Sequence, residues 1–148
     1  MGMMQGRFKA IIRTLAAIGV MLWLTSPAFA ASYVVITNKD VPVDSLSKAE
    51  LRSIFLGEKV KWNHKKYIKI AILDSGDAYK DFLHEILGNT PAQYDNFWLK
   101  MVYTGKAPMP QSFSETGKLV DFVATHPGAV GFVAAGHAGD SVKTISIK

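Results

Sequence analysis

Residues 67–87 read YIKIAILDSGDAYKDFLHEIL, an apolar run that passes directly into a segment with helical periodicity. The run Tyr67–Leu73 is short, β-branched and largely apolar, which is typical of a strand buried on both faces. The next segment places apolar side chains at the spacing of an amphipathic helix that ends at Gly88: Tyr79, Phe82, Leu83, Ile86 and Leu87. A strand that leads at once into a helix predicts an α/β unit.

Strand and helix patterns also alternate on the N-terminal side of this unit. Ser32–Thr37 predicts a first strand. Ser45–Phe55 predicts a helix with Ser45 or Ser47 as its N-cap and Gly57 just beyond its end.

On the C-terminal side, Thr90-Pro91-Ala92-Gln93 combines a threonine cap, a first-turn proline and a capping-box glutamine, which indicates the start of a third helix. A fourth helix is predicted with Ser114 as its cap, followed by the strands Ala129–Val133 and Val142–Ile147. The order β-α-β-α-α-α-β-β predicts one α/β domain with a mixed, partly parallel sheet flanked by helices. The glycine-containing turn between the last two strands favours their pairing as antiparallel neighbours.

The first 30 residues have the pattern of a secretory signal peptide. Three basic residues precede an apolar core of 10 residues, Leu15–Leu24, and Ala28-Phe29-Ala30 forms a small-x-small cleavage site. A membrane span needs about 20 apolar residues, which favours a cleaved leader over an anchor. We therefore expect cleavage after Ala30, a periplasmic location, and a single domain over residues 31–148 with no integral membrane segment.

The composition narrows the class of partner. Three of the 17 basic residues lie in the leader and none of the 12 acidic ones does, so the formal charge falls from +5 to +2 on cleavage. A balance so close to neutral does not favour nucleic acid as a partner. The chain has no cysteine, so an exported form would hold its fold without disulfides.

The candidate ligand-binding residues are Asp74, Ser75, Gly76 and Asp77, between the strand and the helix. Ligands of open α/β sheets collect beyond the carboxyl ends of strands. A helix N-terminus at this place offers free N–H groups and the positive end of a dipole to an anion. Ser75 adds a hydroxyl and Gly76 lets a ligand approach the backbone. The alternative is that Ser75 or Asp74 only caps the helix.

This arrangement resembles the periplasmic phosphate-binding proteins of ABC-type phosphate transporters. The second lobe of that family has a pattern like L-x-x-x-x-L-x-x-I-F-x-G, then a tryptophan, a strand, and S-G before a helix. The resemblance implies a single lobe of a type II periplasmic-binding-protein-like fold and a solute-binding role without catalysis. The matching segments keep their order along nearly the whole of residues 31–148: Leu46–Gly57, Trp62, Ile70–Gly76, Phe82, Tyr103–Lys106 and Pro127–Val133.

The family's phosphate loop resembles R-x-x-x-S-G-T, and this chain departs from it. Ser75 and Gly76 match, but Ala71 stands at the arginine position and Asp77 at the threonine position. The loss of a guanidinium removes a charge-assisted partner, and Asp77 repels an incoming anion. A carboxylate can nevertheless accept a proton from monohydrogen phosphate.

Two functions remain open on this basis. One is weak binding of phosphate or another small oxyanion, with a homodimer or a protein partner covering the ligand edge. The alternative is a non-transport periplasmic interaction module that has lost ligand binding. The match of Ser75 and Gly76 favours the first function, and the loss of the arginine favours the second.

Two further sets of residues were weighed. Five lysines surround Trp62, and we interpret them as a solvated turn with Trp62 packed beneath it rather than as a surface for a lipid, a nucleic acid or an acidic partner. The sequence has no cysteine nucleophile, G-x-S-x-G motif or paired-histidine zinc motif, so no catalytic residue, cofactor or metal is predicted. Asp81, His84 and Glu85 share a helix edge but lack the spacing of a metal site.

Overall fold

The computed structural model describes residues 31–148, so the predicted signal peptide lies outside the described residues. Within residues 31–148, no helix has both the length and the apolar character needed to cross a membrane. The strands are β1 (Tyr33–Thr37), β2 (Ser45–Leu46), β3 (Lys69–Leu73), β4 (Gln111–Phe113), β5 (Ala129–Ala134) and β6 (Lys143–Ile147). The helices are α1 (Lys48–Phe55), α2 (Asp77–Phe82) with a π-helical continuation over Leu83–Leu87, α3 (Pro91–Tyr103) and α4 (Thr116–Thr125).

The six strands form one sheet in the order β2-β6-β1-β5-β3-β4. β1 is antiparallel to β5 and β6, whereas the pairs β2–β6, β3–β5 and β3–β4 are parallel. The mixed, partly parallel sheet confirms the predicted α/β class. The predicted pairing of the last two strands is wrong, because β1 lies between β5 and β6. Both strands are antiparallel to β1, so they point the same way and cannot close a hairpin.

Two strands were not predicted, and one begins later than expected. β2 has two residues and β4 has three, too few for an alternating pattern to be detected. β3 begins at Lys69 rather than Tyr67, because Tyr67 pairs with Lys61 in an isolated bridge that closes the preceding loop.

Aromatic side chains from the sheet and the helices form the centre of the core. Phe82 of α2 stacks on Phe132 of β5 with 4.1 Å between ring centroids, and Phe55 of α1 lies edge-on to Phe82 at 4.7 Å. All three are fully buried. Offset and edge-to-face aromatic pairs contribute about 0.5–1.5 kcal/mol each beyond the burial of their area. This cluster fixes α2 against the sheet and so determines where the loop before α2 lies.

The capping residues of three helices test the sequence predictions directly. Ser47, not Ser45, caps α1, and it forms a reciprocal capping box with Glu50. The hydrogen bonds that the Ser47 backbone and hydroxyl make to the carboxylate lower the pKa of Glu50. The box predicted at Thr90 is confirmed for α3. The predicted cap at Ser114 is wrong, since Glu115 occupies the N-cap of α4 and makes no side-chain capping bond.

The loop between α1 and β3 is fastened to the start of β5. The Trp62 side chain is buried, and its indole N–H donates to the Gly128 carbonyl at 2.8 Å, which confirms that Trp62 packs beneath the loop. The Lys66 ammonium lies 2.6 Å from the Asp40 carboxylate, whose other oxygen accepts from the Gly128 N–H at 3.1 Å. These contacts hold the lysine-rich loop in one position.

Candidate functional site

The predicted ligand residues lie together at the carboxyl end of β3. Asp74, Ser75 and Gly76 form a bend, Asp77 is the first residue of α2, and all four are exposed. The Asp74 N–H donates to the Phe113 carbonyl at 3.0 Å, which continues the β3–β4 pairing by one residue. The loop therefore starts from a fixed point on the sheet and ends on a helix fixed by the aromatic core.

The loop leaves the N-terminus of α2 open. Gly76 occupies the N-cap with φ +94°, a conformation that favours glycine, and a Cβ added there would find nothing within 4 Å. No side chain accepts from the first turn of α2. The Ser75 hydroxyl donates to the Asp74 carboxylate at 3.0 Å instead. The alternative in which Ser75 or Asp74 caps the helix is therefore wrong, and the first-turn N–H groups have no side-chain partner.

Ala71, which stands at the family's arginine position, is part of the core. It is fully buried in β3. Gly131 of β5 lies beside it, and a Cβ at Gly131 would come within 3.0 Å of the Ala71 carbonyl oxygen and 3.1 Å of the Leu119 side chain of α4. Ala71 therefore faces the packed interior and supplies no cation to the loop at Asp74–Asp77.

Carboxylates surround the open helix end and continue along α2. Asp81 accepts from the Ser32 hydroxyl, and Glu85 accepts from the Tyr33 hydroxyl at 2.9 Å. Burial raises the pKa of Tyr33, and its hydrogen bond to Glu85 and the charges of Glu85 and Asp81 add to that shift. Sequence analysis did not connect Ser32 and Tyr33 with α2, because a contact across about fifty residues leaves no local signal.

The charge of Asp74 also reaches a buried side chain of α2. Burial raises the pKa of Tyr79 to about 12, and the charges of Asp95 and Asp74 contribute in the same direction. Asp74 and Asp77 thus bring two carboxylates to the carboxyl end of β3. Within residues 31–148, no group of three or more His, Asp or Glu side chains is arranged to hold a metal ion. The groups that Asp74–Asp77 offer to a ligand are backbone N–H groups, one hydroxyl and carboxylate oxygens, all of which form hydrogen bonds.

A cleft of about 240 Å³ lies at the other end of β3. The β3 end at Lys69 and Ile70, the preceding Ile68, and the irregular segment before β4 line it together with Trp98 and Phe122. The sequence patterns did not indicate this cleft. The signal that could have indicated it is the pair of prolines, Pro108 and Pro110, which keeps this segment from pairing with β3.

No family model matches the sequence. Solved structures with a similar fold include an ABC-type phosphate transport receptor from Vibrio cholerae, with a TM-score of 0.53 and 20% identity over 78% of this chain and 46% of that one. A protein from Clostridium perfringens, described as a phosphate ABC transporter substrate-binding protein with bound phosphate, has a TM-score of 0.60 and 19% identity over 78% of this chain and 44% of that one. PstS from Borrelia burgdorferi has a TM-score of 0.60 and 18% identity over 79% of this chain and 47% of that one.

These similarities establish the fold. They confirm the expected α/β fold, and the first two of these proteins are described as a phosphate transport receptor and a phosphate transporter substrate-binding protein. The chain spans less than half the length of each of them.

Proposed function

We propose that the protein is an exported, non-catalytic binding protein that holds phosphate or another small oxyanion weakly at Asp74–Asp77. The observation that carries the proposal is the N-terminus of α2, which is aimed beyond the carboxyl end of β3 and has no side-chain cap. Backbone N–H groups in this position bind oxyanions in many proteins. The fold shared with phosphate-binding proteins supports the same choice of ligand class.

The carboxylates favour an oxyanion that still carries a proton. At neutral pH, monohydrogen phosphate can donate a hydrogen bond to Asp74 or Asp77, whereas sulfate has no proton to donate. An unprotonated dianion would meet the negative charge of both side chains with no compensating bond. We therefore expect phosphate to bind more tightly than sulfate, and also more tightly than an organic monophosphate, which is mostly an unprotonated dianion at neutral pH.

The affinity of the isolated protein should be low. All four loop residues are exposed, so water competes for every hydrogen bond that the ligand makes. We expect a dissociation constant around 1 mM, equivalent to about 4 kcal/mol. Tighter binding requires a second surface that excludes water from the Ser75 edge, supplied by another copy of the chain or by a partner protein.

The deciding experiment is isothermal titration of the purified protein with phosphate, sulfate and a monophosphate ester. Asp77→Thr removes a like charge from the helix end while Asp74 remains to accept the phosphate proton, so it should tighten phosphate binding by about three- to tenfold. Asp121→Thr makes the same change at an exposed position of α4 and should leave the affinity unchanged. Unchanged or weaker phosphate binding by Asp77→Thr would count against this site.

The proposed location is the periplasm, after cleavage behind Ala30. The support is the signal-peptide pattern of residues 1–30. Mass spectrometry of the protein from a periplasmic extract should give an N-terminus at Ala31. Recovery of chains that begin at Met1 would refute cleavage. Retention of the protein in washed membranes would refute its release into the periplasm.

A second candidate function is a periplasmic interaction module that has lost its ligand. Ala71 favours it, because an uncharged side chain stands where the family pattern has an arginine and the loop then lacks a charge-assisted partner for an anion. In that case phosphate, sulfate and the ester would all fail to bind at 20 mM, and Asp77→Thr would not restore binding. The same titration therefore separates the two functions.

A further inference from the structure

We propose that the cleft at the amino end of β3 is a binding site for a small amphipathic carboxylate, one with a medium-length acyl tail. This site is distinct from the loop at Asp74–Asp77, which lies at the opposite end of the same strand. It does not depend on the oxyanion function proposed above.

The cleft forms because β4 covers only part of β3. The two strands pair at Ala71–Leu73, so the β3 edge at Lys69 and Ile70 has no β4 residue beside it. Ala107–Pro110, which precede β4, and Phe122 of α4 line the space beside this edge. The opening is thus built by the topology and is not a surface irregularity.

Its lining suits an apolar group that carries a negative charge at one end. Most of the lining side chains are apolar, among them Val60, Ile68, Trp98 and Met109. Val60 and Met109 are 51% and 53% exposed, so part of the apolar lining is open to solvent. A volume of about 240 Å³ lies just below the range of about 300–1,000 Å³ typical of drug-sized ligands, which favours a smaller molecule.

The charges around the cleft are of one sign. Lys59 and Lys69 line it, and no acidic residue does. Neither lysine belongs to an ion pair within residues 31–148. Lys69 is exposed, and an exposed lysine can pack its methylene stem along apolar surface while its ammonium stays in water. Apolar walls with cations at the rim are complementary to a carboxylate with an acyl tail.

The test uses protein purified after expression of the full chain, labelled with ¹⁵N and titrated with octanoate. We expect saturable shifts of the amide signals of Val60, Ile70 and Met109, with Ser75 and Gly76 unmoved. Acetate, which lacks the tail, and 1-octanol, which lacks the charge, should each bind at least threefold more weakly. Added phosphate should leave the octanoate shifts unchanged. Binding at the cleft is therefore tested independently of binding at Asp74–Asp77.

Matched charge variants locate the carboxylate. Lys69→Gln should weaken octanoate binding about three- to fivefold, as expected for one solvent-exposed charge pair, and should leave octanol binding unchanged. Lys80→Gln makes the same change on α2 and should have no effect. Filling the cleft with Ala107→Phe should reduce the affinity for octanoate more than tenfold while the amide spectrum stays dispersed.

Several outcomes would overturn the proposal. These are the absence of saturable shifts up to 20 mM octanoate, equal weakening by Lys69→Gln and Lys80→Gln, and shifts centred on Ser75. Binding to phosphatidylglycerol vesicles without any response to octanoate would also overturn it, since the surface would then serve a membrane.

Discussion

Gly128→Ala should be among the most destabilising single-methyl changes in this domain. Gly128 has φ +80°, a conformation that costs an alanine about 1–2 kcal/mol. In addition, a Cβ at this position would lie 2.2 Å from the backbone carbonyl oxygen of Tyr67, so the lysine-rich loop would have to move. Overpacking of this kind costs about 1–3 kcal/mol. The two effects together give an expected loss of about 3 kcal/mol, a large part of the 5–15 kcal/mol typical of a domain.

Gly136→Ala is the matched control. Gly136 has φ +85°, yet an added Cβ would find nothing within 4 Å, so only the conformational cost of about 1–2 kcal/mol applies. Urea unfolding followed by tryptophan fluorescence measures both variants, and Trp62 reports directly because its indole donates to the Gly128 carbonyl. Equal decreases in the free energy of unfolding for the two variants would refute the reasoning. They would show that the loop accommodates the new methyl group at position 128 without an energetic cost.

Two further predictions concern single hydrogen-bonded side chains. Partial burial raises the pKa of Asp40, but its bonds to Lys66 and to the Gly128 N–H outweigh that effect and lower the pKa overall. Asp40→Asn should therefore lower the free energy of unfolding by about 1 kcal/mol at pH 7, and the difference from wild type should vanish as the pH falls below about 4. The control Glu115→Gln, which removes an exposed ion pair, should cost less. Urea unfolding at several pH values measures both variants. Tyr94→Phe should lower the free energy of unfolding by about 1–3 kcal/mol at neutral pH, because the buried Tyr94 hydroxyl donates to the Phe55 carbonyl at the end of α1. The control Tyr103→Phe, at an 86% exposed position, should leave it unchanged in the same assay.

Local patterns in the sequence were sufficient for the main helices and strands. The apolar stripes and the box Thr90–Gln93 depend on neighbours within one or two turns, so they can be recognised in a single sequence. The order of strands depends on long-range packing, and the place of β1 between β5 and β6 had no local signature. The π-helical turn over Leu83–Leu87 was also not foreseen, since its apolar spacing is the same as that of an ordinary helix.

The sequence predicted where the candidate site lies along the chain, but it did not predict which side chains surround it. Ser75 and Gly76 follow a strand in the sequence, and the structure places them at the open end of α2. The carboxylate pattern around them depends partly on Ser32 and Tyr33, which only the tertiary fold brings to α2. The cleft was missed for a similar reason, because its walls come from five separate segments of the chain.

The opposite charges at the two ends of β3 provide a test that separates the two proposed sites. Asp74 and Asp77 lie at the proposed oxyanion site, whereas Lys59 and Lys69 line the cleft proposed for octanoate. Added salt screens both fields, with a Debye length of about 10 Å at 0.1 M. If phosphate binds at Asp74–Asp77 as proposed, short-range N–H contacts hold it beside two carboxylates that repel it, so raising NaCl from 20 to 200 mM should leave its affinity unchanged or tighten it. Octanoate at the basic cleft is held partly by attraction, so the same change should weaken it. Titration of both ligands across this range measures the two responses, and equal weakening of both would mean that they share the basic surface.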